Sequence, residues 1–172
     1  MVNSAIVGLI GLAVRREPPH VFTTLARHRR LFRRWLWFAG ALMPRGTLPR
    51  RDTELVILRV AHNTGSEYER EQHEKIARDV GMSAEEIARV REGAGPPGWS
   101  ERQLALLEAT DELHASQRIG DELWERLRAL LDERQLIELC MLVGHYEMLA
   151  MTLNSLRVQP DGVAPERRGD AG

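Results

Sequence analysis

A carboxylate and an imidazole share one face of a short helix in the first half of the chain. The stretch "GSEYEREQHEKIARDVG", residues 65–81, lies between two glycines and has the composition of a helix. If Ile76 and Ala77 point into a core, a period of 3.6 residues places Glu69 and His73 on that same inward face. Ionisable groups directed at an apolar interior cost several kcal/mol unless they are paired. These two residues are therefore either a structural pair whose hydrogen bonds are satisfied or part of a functional site.

Glu54 supplies a third ionisable group. It lies one turn before Leu58 in the apolar helix that precedes the helix of Ser66, so we expect it to face inward across a tight turn. Two carboxylates and a histidine in one pocket can divide acid and base roles, because each shifts the pKa of the others. The histidine would move a proton, and one carboxylate would fix its tautomer. We therefore predict Glu54, Glu69 and His73 as catalytic residues.

A structural interpretation of the same residues stays open. Ser66 and Glu69 have the spacing of a capping box, in which the glutamate reaches back to the N–H of the serine. His73 would then be a satisfied core histidine. Glu54 would be a first-turn glutamate that the helix dipole favours and that pairs with a neighbouring arginine.

Three further polar residues are predicted to contact a substrate. Ser66 shares the face of Glu69 and His73. Tyr68 has a hydroxyl that could donate to a carbonyl, although simple packing is its alternative role. His62 precedes the turn and would either cap its helix or line the pocket. A later helix carries polar residues that we also expect near the site, without a ranking among them: His145, Tyr146 and Asn154.

A metal centre is an alternative from another class of site. Glu69 and His73, with Glu54 and His62 nearby, offer carboxylate and imidazole ligands. However, no Glu-x-x-His pair recurs and no His-Glu-x-x-His motif occurs, so the usual helical metal patterns are missing. We expect no metal and no other cofactor.

The elements that must position these residues are predicted to be helices throughout. Helix start and stop signals recur, and no stretch alternates with period two, which predicts an all-α fold. Pro49 suits the first turn of the helix that carries Glu54, and Gly65 suits its end. Three pairs have capping-box spacing at later helix starts: Ser66 and Glu69, Ser83 and Glu86, Ser100 and Gln103.

The composition predicts one domain flanked by two terminal segments. Residues 1–17 contain the apolar run "AIVGLIGLAV", which is too short to span a bilayer and lacks signal-peptide flanks, so we predict a core or interface helix. Residues 18–158 form the domain, and the linker "GAGPPGW" at 93–99 divides it. Both halves join an apolar helix to a Tyr-Glu pair, as a duplicated helical hairpin would. Residues 159–172 contain too few apolar residues to fold, which predicts a disordered tail.

Charge and cysteine content argue against several functions. The chain of 172 residues has a net charge of −1, which gives no overall attraction to nucleic acids or anionic membranes. The arginines of "RHRRLFRRWLWF" at 27–38 flank an apolar stripe, as on an ordinary solvated or subunit-facing helix.

Cys140 is the sole cysteine, so no internal disulfide can form, and a reducing cytoplasm fits. We expect a homo-oligomer, because a chain this apolar would otherwise expose large patches.

The central part of the chain resembles a known family. The carboxymuconolactone decarboxylase family, which includes the AhpD-type alkylhydroperoxidases, has a core similar to "LPRRDTELVILRVAHNTGSEYEREQHEKIARDVGMSAEEIARVREG". The similarity extends over about residues 18–158. It implies an AhpD-like helical bundle that assembles as a dimer, trimer or hexamer.

The resemblance also implies a departure from thiol chemistry. Peroxidase-type members carry a glutamate, a C-x-x-C pair and a histidine four residues later. Here the glutamate falls at Glu54 and the histidine at His73, whereas Ser66 and Glu69 hold the cysteine positions. Decarboxylase-type members keep a Glu-x-x-x-His pair that matches Glu69 and His73, with another histidine where this chain has Ser66. A hydroxyl cannot reduce a peroxide through a sulfenic acid.

The residues and the resemblance together predict a function. We expect a cofactor-free acid–base enzyme of the lyase or isomerase type, acting next to the carbonyl of a small ketone or lactone. The alternative is an AhpD-like antioxidant-related protein, or an oligomeric scaffold without catalysis, because a fold alone does not confer a function.

Overall fold

The computed structural model describes residues 18–162, and this part of the chain is all-α, as predicted. The N-terminal helix predicted for residues 1–17 lies outside the described residues, as do residues 163–172. The helices of the described part are α1 (His20–Leu25), α2 (Arg29–Leu42), α3 (Arg50–Asn63), α4 (Glu67–Asp79), α5 (Ala84–Val90), α6 (Glu101–Ser116), α7 (Asp121–Leu130) and α8 (Glu133–Ser155).

Helix α3 is the centre of the molecule. It packs against α4, α6 and α8, and its sequence "LVILRVA" is apolar on most sides. Leu55, Val56 and Ile57 are consequently buried in succession. Because several faces of α3 are covered, a polar residue on this helix is buried as well, and this applies to Glu54.

A tight turn folds α4 back along α3. Pro49 precedes α3, and the helix ends at Asn63. Gly65 has a φ of +62°, a backbone conformation that favours glycine. The N–H of Ser66 then donates to the carbonyl of Ala61 over 2.9 Å. The result is an antiparallel helical hairpin, in which the middle of α4 lies opposite the beginning of α3.

Capping side chains fix several of the later helix starts. Complete capping boxes open α5 with Ser83 and Glu86, and α6 with Ser100 and Gln103, as predicted. A further box opens α8, where Asp132 takes the serine position. The box predicted at Ser66 is wrong, because that hydroxyl makes no cap hydrogen bond and is buried instead.

Helix α8 carries a buried carboxylate that organises the loop before α3. Glu138 accepts hydrogen bonds from the hydroxyl of Thr47 over 2.6 Å and from the N–H of Leu48 over 3.1 Å. The start of α3 is therefore attached to α8. The second of the two similar segments noted in the sequence lies within α8, which is one continuous helix, whereas the first is the α3–α4 hairpin.

By length and composition, α8 is the described helix that could cross a membrane. However, 56% of its apolar window is buried inside the protein. A core helix passes the same test, so this property is weak support for a membrane span.

Both ends of the described chain meet at α4. The hydroxyl of Tyr68 accepts a hydrogen bond from the N–H of Val21 over 3.1 Å and donates to the carboxylate of Asp161 over 3.2 Å. The N–H of His20 donates to the same carboxylate over 2.8 Å. Residues 159–162, which the sequence assigned to the tail, therefore contact α1 and α4.

Candidate functional site

The α3–α4 hairpin brings a glutamate and a histidine into direct contact. The Nδ1 atom of His73 lies 2.6 Å from the Oε2 atom of Glu54. Glu54 is fully buried and His73 is 6% exposed. The antiparallel hairpin explains the contact, because it places the middle of α4 opposite the first turn of α3. The two residues therefore face inward together, as the helical period predicts.

Arg50 extends this pair into a chain of three groups. Its Nη2 atom lies 2.8 Å from the Oε1 atom of Glu54, one turn away on α3. Each oxygen of the Glu54 carboxylate therefore has a different neighbour. A carboxylate that accepts the Nδ1–H of a histidine fixes the tautomer, so that Nε2 of His73 can accept a proton.

Glu69 lies one turn before His73 on α4 and is only 2% exposed. Burial raises the pKa of its carboxyl group to about 8, and the negative charge of Glu147 acts in the same direction. The neighbouring hydroxyl of Ser66 acts in the opposite direction and lowers the pKa of Glu69. Its position does not meet the geometric criteria for a hydrogen bond to the carboxyl group. This shift favours the protonated form of Glu69 at neutral pH, and that form can donate a proton.

Aromatic residues of α8 form a wall beside the histidine. The ring of Tyr146 meets the ring of His73 edge to face, with 5.1 Å between the centroids. The ring of His145 also contacts Tyr146 edge to face, and it packs against Trp35 and Phe38 of α2. Burial raises the pKa of Tyr146, and the carboxylates of Glu54 and Glu69 add to this effect. Burial lowers the pKa of His145 to about 4, so both side chains are neutral at pH 7.

Several buried polar atoms in and around this cluster have no hydrogen-bond partner among the described residues. They include both carboxylate oxygens of Glu69, the Oγ of Ser66, Nη1 of Arg50 and Nδ1 of His145. Buried polar groups are almost always hydrogen-bonded in folded proteins. Water or a small polar ligand would complete these atoms, which distinguishes the cluster from an ordinary core.

A comparison with protein families finds one matching family. The model of the carboxymuconolactone decarboxylase family matches residues 29–112, a range that includes all of α3 and α4. Residues 29–112 therefore match the carboxymuconolactone decarboxylase family. No curated protein matches the chain significantly in sequence.

Solved structures similar to this chain include an AhpD core. The AhpD core of an uncharacterised peroxidase-related protein from Ralstonia eutropha JMP134 gives a TM-score of 0.83 at 18% identity, covering 93% of this chain and 85% of the other. A peroxidase-related protein from Silicibacter sp. TM1040 gives 0.83 at 15%, covering 92% and 84%. The debrominase Bmp8 gives 0.77 at 12%, covering 93% and 86%. At these identities the similarity establishes the fold alone.

The residues predicted to bind substrate lie in different parts of the structure. Ser66 is buried beside Glu69. Tyr68 points away from His73, since its hydroxyl holds Val21 and Asp161. His62 is exposed and lines an open depression with Ser66, and burial together with Arg59 lowers its pKa.

Among the three α8 residues that the sequence left unranked, His145 and Tyr146 join the site. Asn154 instead donates to the carbonyl of Thr64 over 3.1 Å and holds the turn of the hairpin. The sequence signal that identifies the first two is their place on the inward face of α8, beside the buried Leu142 and Leu149.

Within residues 18–162, neither a metal cluster nor a reactive thiol is found at the site. No group of three or more His, Cys, Asp or Glu side chains in this range is arranged to hold a metal ion. Glu54 is already engaged by Arg50 and His73. Cys140 is half-buried on α8, and burial raises the pKa of its thiol.

Proposed function

We propose that this protein is a cofactor-free acid–base enzyme that isomerises or decarboxylates a small carbonyl or lactone compound. One observation carries the proposal: His73, whose Nδ1 contacts the carboxylate of Glu54, lies one helical turn from the buried carboxyl group of Glu69. Two titratable groups whose surroundings push them into opposite roles are the usual pattern of an acid–base site.

The proposed reaction begins at His73. With its Nδ1–H donated to Glu54, the neutral imidazole uses Nε2 to remove a proton from the carbon next to the substrate carbonyl. The C–H electron pair moves into the new C=C bond, and the carbonyl oxygen takes a proton from Glu69. Where the substrate has a C=C bond conjugated with this enol, the imidazolium returns its proton to the far carbon of the dienol, the double bonds shift, and the enol O–H returns its proton to Glu69. The sum is an isomerisation with no net gain or loss of protons.

Decarboxylation follows the same logic. The C–C bond to the carboxylate breaks, carbon dioxide leaves, and the electron pair of that bond forms an enolate, whose oxygen takes the proton of Glu69 to give the enol. His73 then delivers a proton from the medium to the carbon, and the enol O–H returns its proton to Glu69 as the carbonyl re-forms. Burial of both groups keeps them in a poorly solvated environment, where charge stabilisation is stronger than in water.

Thiol chemistry does not fit this site. Ser66 and Glu69 occupy the two positions where the resemblance places cysteines, and Cys140 lies on α8 with a raised thiol pKa. The peroxidase-related names of similar structures therefore carry no peroxidase activity to this chain. The debrominase Bmp8, which has been solved with 2,3,4-tribromopyrrole, illustrates that one fold supports several chemistries.

A non-catalytic oligomeric scaffold is the second candidate. It is favoured by the contacts of Glu54, which Arg50 and His73 already engage as in a structural network. In either case we propose a cytoplasmic homo-oligomer that binds neither nucleic acid nor membrane, in keeping with the net charge of −1.

Deuterium exchange tests the proposal without knowledge of the full reaction. Lactones, β-keto acids and enolisable ketones are incubated with the protein in D2O, and NMR follows the hydrogens next to the carbonyl. We expect at least one compound to exchange faster with the wild-type protein than with His73→Ala. If no compound exchanges, or if both proteins exchange it equally, the scaffold is the better explanation.

A further inference from the structure

An open cavity of about 780 Å³ lies between α1, the beginning of α2 and the end of α8. Leu31 and Leu156 in its wall are each 58% exposed, and Met148 is 48% exposed. Cavities of this size with an apolar lining are typical binding sites for small organic molecules. We call this space the α2–α8 cavity, and its apolar lining includes Leu31, Phe32, Trp35, Met148, Leu156 and Val158.

The polar lining of the α2–α8 cavity carries positive charge. Arg27 precedes α2 and Arg157 follows α8, and both line the cavity together with His20 and His28. None of the described aspartates or glutamates lines it. Neither guanidinium forms a hydrogen bond or an ion pair with another described residue. Two cations without a counter-charge, beside an apolar surface, complement a ligand that has an apolar body and an anionic end.

Arg157 is held at the cavity in an unfavourable backbone conformation. Its φ is +54°, a value that glycine adopts far more readily than other residues. The N–H of Arg157 donates to the carbonyl of Asn154 over 3.1 Å, and the N–H of Val158 donates to the carbonyl of Leu153 over 3.0 Å. These bonds form a Schellman motif, in which glycine usually holds the position of Arg157. Such backbone strain is concentrated at functional sites, which supports a role for this side chain.

The chain after α8 is attached to α1 at the rim of the cavity. The Nδ1–H of His20 donates to the carbonyl of Gln159 over 2.9 Å, and both residues line the cavity. Asp161 lies 3.5 Å from the same nitrogen and accepts hydrogen bonds from the N–H of His20 and the hydroxyl of Tyr68. This nearby carboxylate is therefore engaged away from the two arginines.

We propose that the α2–α8 cavity binds a small amphipathic carboxylate, a medium-chain apolar tail with one carboxylate end. The tail would cover the exposed parts of Leu31, Met148 and Leu156. The carboxylate would accept hydrogen bonds from Arg27 and Arg157, whose planar N–H donors match the two oxygens of a carboxylate. One ligand would thus complete both the apolar and the charged parts of the lining.

Charge argues against two other occupants of the cavity. Residues 1–16 contain no aspartate or glutamate, so this segment offers no anionic side chain to the two arginines. A second copy of the chain that presented the same surface would bring its own Arg27 and Arg157 close to those of the first copy, and like charges repel each other. A carboxylate ligand has neither disadvantage.

The α2–α8 cavity is distinct from the space beside His73. Trp35 lines the cavity and stacks on His145, with 6.0 Å between the ring centroids. Neither Glu69 nor His73 lines the cavity. The inference therefore goes beyond the proposed enzymatic function and does not depend on it.

Calorimetric titration of the full chain with octanoate tests the site. At neutral pH we expect saturable binding of one octanoate per chain. Octanol and octylammonium should bind about tenfold more weakly or worse, since neither can accept charge-assisted hydrogen bonds from the arginines. Arg27→Gln and Arg157→Gln should each weaken octanoate binding by about tenfold. Arg134→Gln, at the exposed beginning of α8, is the matched control that should bind octanoate like the wild type.

Arg157→Gly separates binding from stability. Glycine accepts the left-handed backbone and removes the guanidinium. The variant should therefore unfold at a denaturant concentration no lower than that of the wild type, while it binds octanoate about tenfold more weakly. An Arg157→Gly variant that binds octanoate like the wild type would contradict the role of this arginine and overturn the proposal.

Methyl NMR locates the ligand. In protein isotopically labelled at the methionine methyl groups, octanoate should shift the signal of Met148, which Met148→Leu identifies, and leave that of the buried Met82 in place. A full chain without saturable binding, as when residues 1–17 occupy the cavity, would overturn the proposal. Equal affinities for octanoate and octanol, or shifts that spare Met148, would also overturn it.

Discussion

The imidazole of His73 and the carboxylate of Glu54 touch through Nδ1 and Oε2 at 2.6 Å, although the residues lie 19 positions apart on two different helices. Arg50 contacts the other oxygen of the same carboxylate. This arrangement leaves only one nitrogen of His73 for a substrate. It therefore assigns separate roles to the three side chains, and these roles can be tested one at a time.

Replacement of His73 should remove the base. We expect His73→Ala to lower kcat on the true substrate by about 100-fold or more, since a positioned acid–base group typically contributes about 10² to 10⁴. The helical circular dichroism should persist. His28→Asn is the matched control, because it removes an exposed imidazole and keeps a side chain that can cap α2. Full activity in His73→Ala would support the role of a core histidine instead.

Replacement of Glu54 should impair orientation rather than proton transfer itself. In Glu54→Gln, the amide can present either an oxygen or an NH2 group to Nδ1, so the tautomer of His73 is no longer fixed. We expect kcat to fall by about tenfold or more while KM changes little, because the residue does not touch the substrate. Steady-state kinetics on both variants would separate the roles. A change confined to KM would contradict a positioning role for Glu54.

The proton on Glu69 should make stability depend on pH. The folded state keeps this proton up to about pH 8, whereas the unfolded chain releases it near the ordinary pKa of 4.5. The folded state therefore binds more protons between these values, and the free energy of unfolding should decrease as pH rises through this window. The largest slope from one group is about 1.4 kcal/mol per pH unit.

Glu69→Gln isolates this effect, because glutamine has the same shape and does not titrate. Denaturant unfolding of both proteins between about pH 5 and pH 8 should show an advantage of the wild type that declines with rising pH. His145 contributes an opposite slope at lower pH, since burial lowers its pKa to about 4, and the comparison cancels that contribution. In activity assays, the variant should lose about 100-fold in kcat. Parallel stability curves would show that Glu69 is ionised in the folded protein.

The two serines at helix starts should behave differently. Ser83→Ala removes a capping box and should cost about 1 kcal/mol of unfolding free energy. Ser66→Ala removes a buried hydroxyl that has no hydrogen-bond partner among the described residues, so it should cost less than Ser83→Ala or even stabilise the protein. Chemical denaturation of both variants gives the comparison. An equal loss in the two variants would restore the capping role that the sequence suggested for Ser66.

Cys140 should be dispensable for catalysis. Its thiol lies on α8, half-buried, and burial raises its pKa, which makes the reactive thiolate scarce at neutral pH. We expect Cys140→Ala to retain the kcat of the wild type and expect no thiol-dependent peroxide reduction from either protein. Turnover of peroxide coupled to oxidation of Cys140 would contradict this assignment.

The sequence could predict the hairpin because its signals are local. Pro49, the apolar run of α3 and Gly65 fix where the helices begin and end, and the helical period then turns Glu54 and His73 inward. The sequence leaves two partners open for Glu54, because Arg50 and Arg51 are adjacent. In the structure, Arg50 pairs with Glu54, whereas Arg51 pairs with Glu86 of α5.

Other features of the site depend on contacts between distant parts of the chain. The approach of Tyr146 to His73 is determined by how α8 packs on the hairpin, which no local pattern encodes. Tyr68 is adjacent to Glu69 in sequence, but its side chain leaves α4 in another direction to meet Val21 and Asp161. At Ser66, burial of the helix start outweighs the capping-box pattern.

The α3–α4 hairpin alone supplies five polar residues of the candidate site: Arg50, Glu54, Ser66, Glu69 and His73. This common origin affects how the site could change in evolution. A new set of reactive groups requires side-chain replacements within residues 50–73 alone, while the aromatic wall and the surrounding helices stay unchanged. Substitutions in this range could change the chemistry of the site while the backbone of the fold stays the same. Exchange of residues 50–73 between homologues should therefore transfer the activity of one protein to the other.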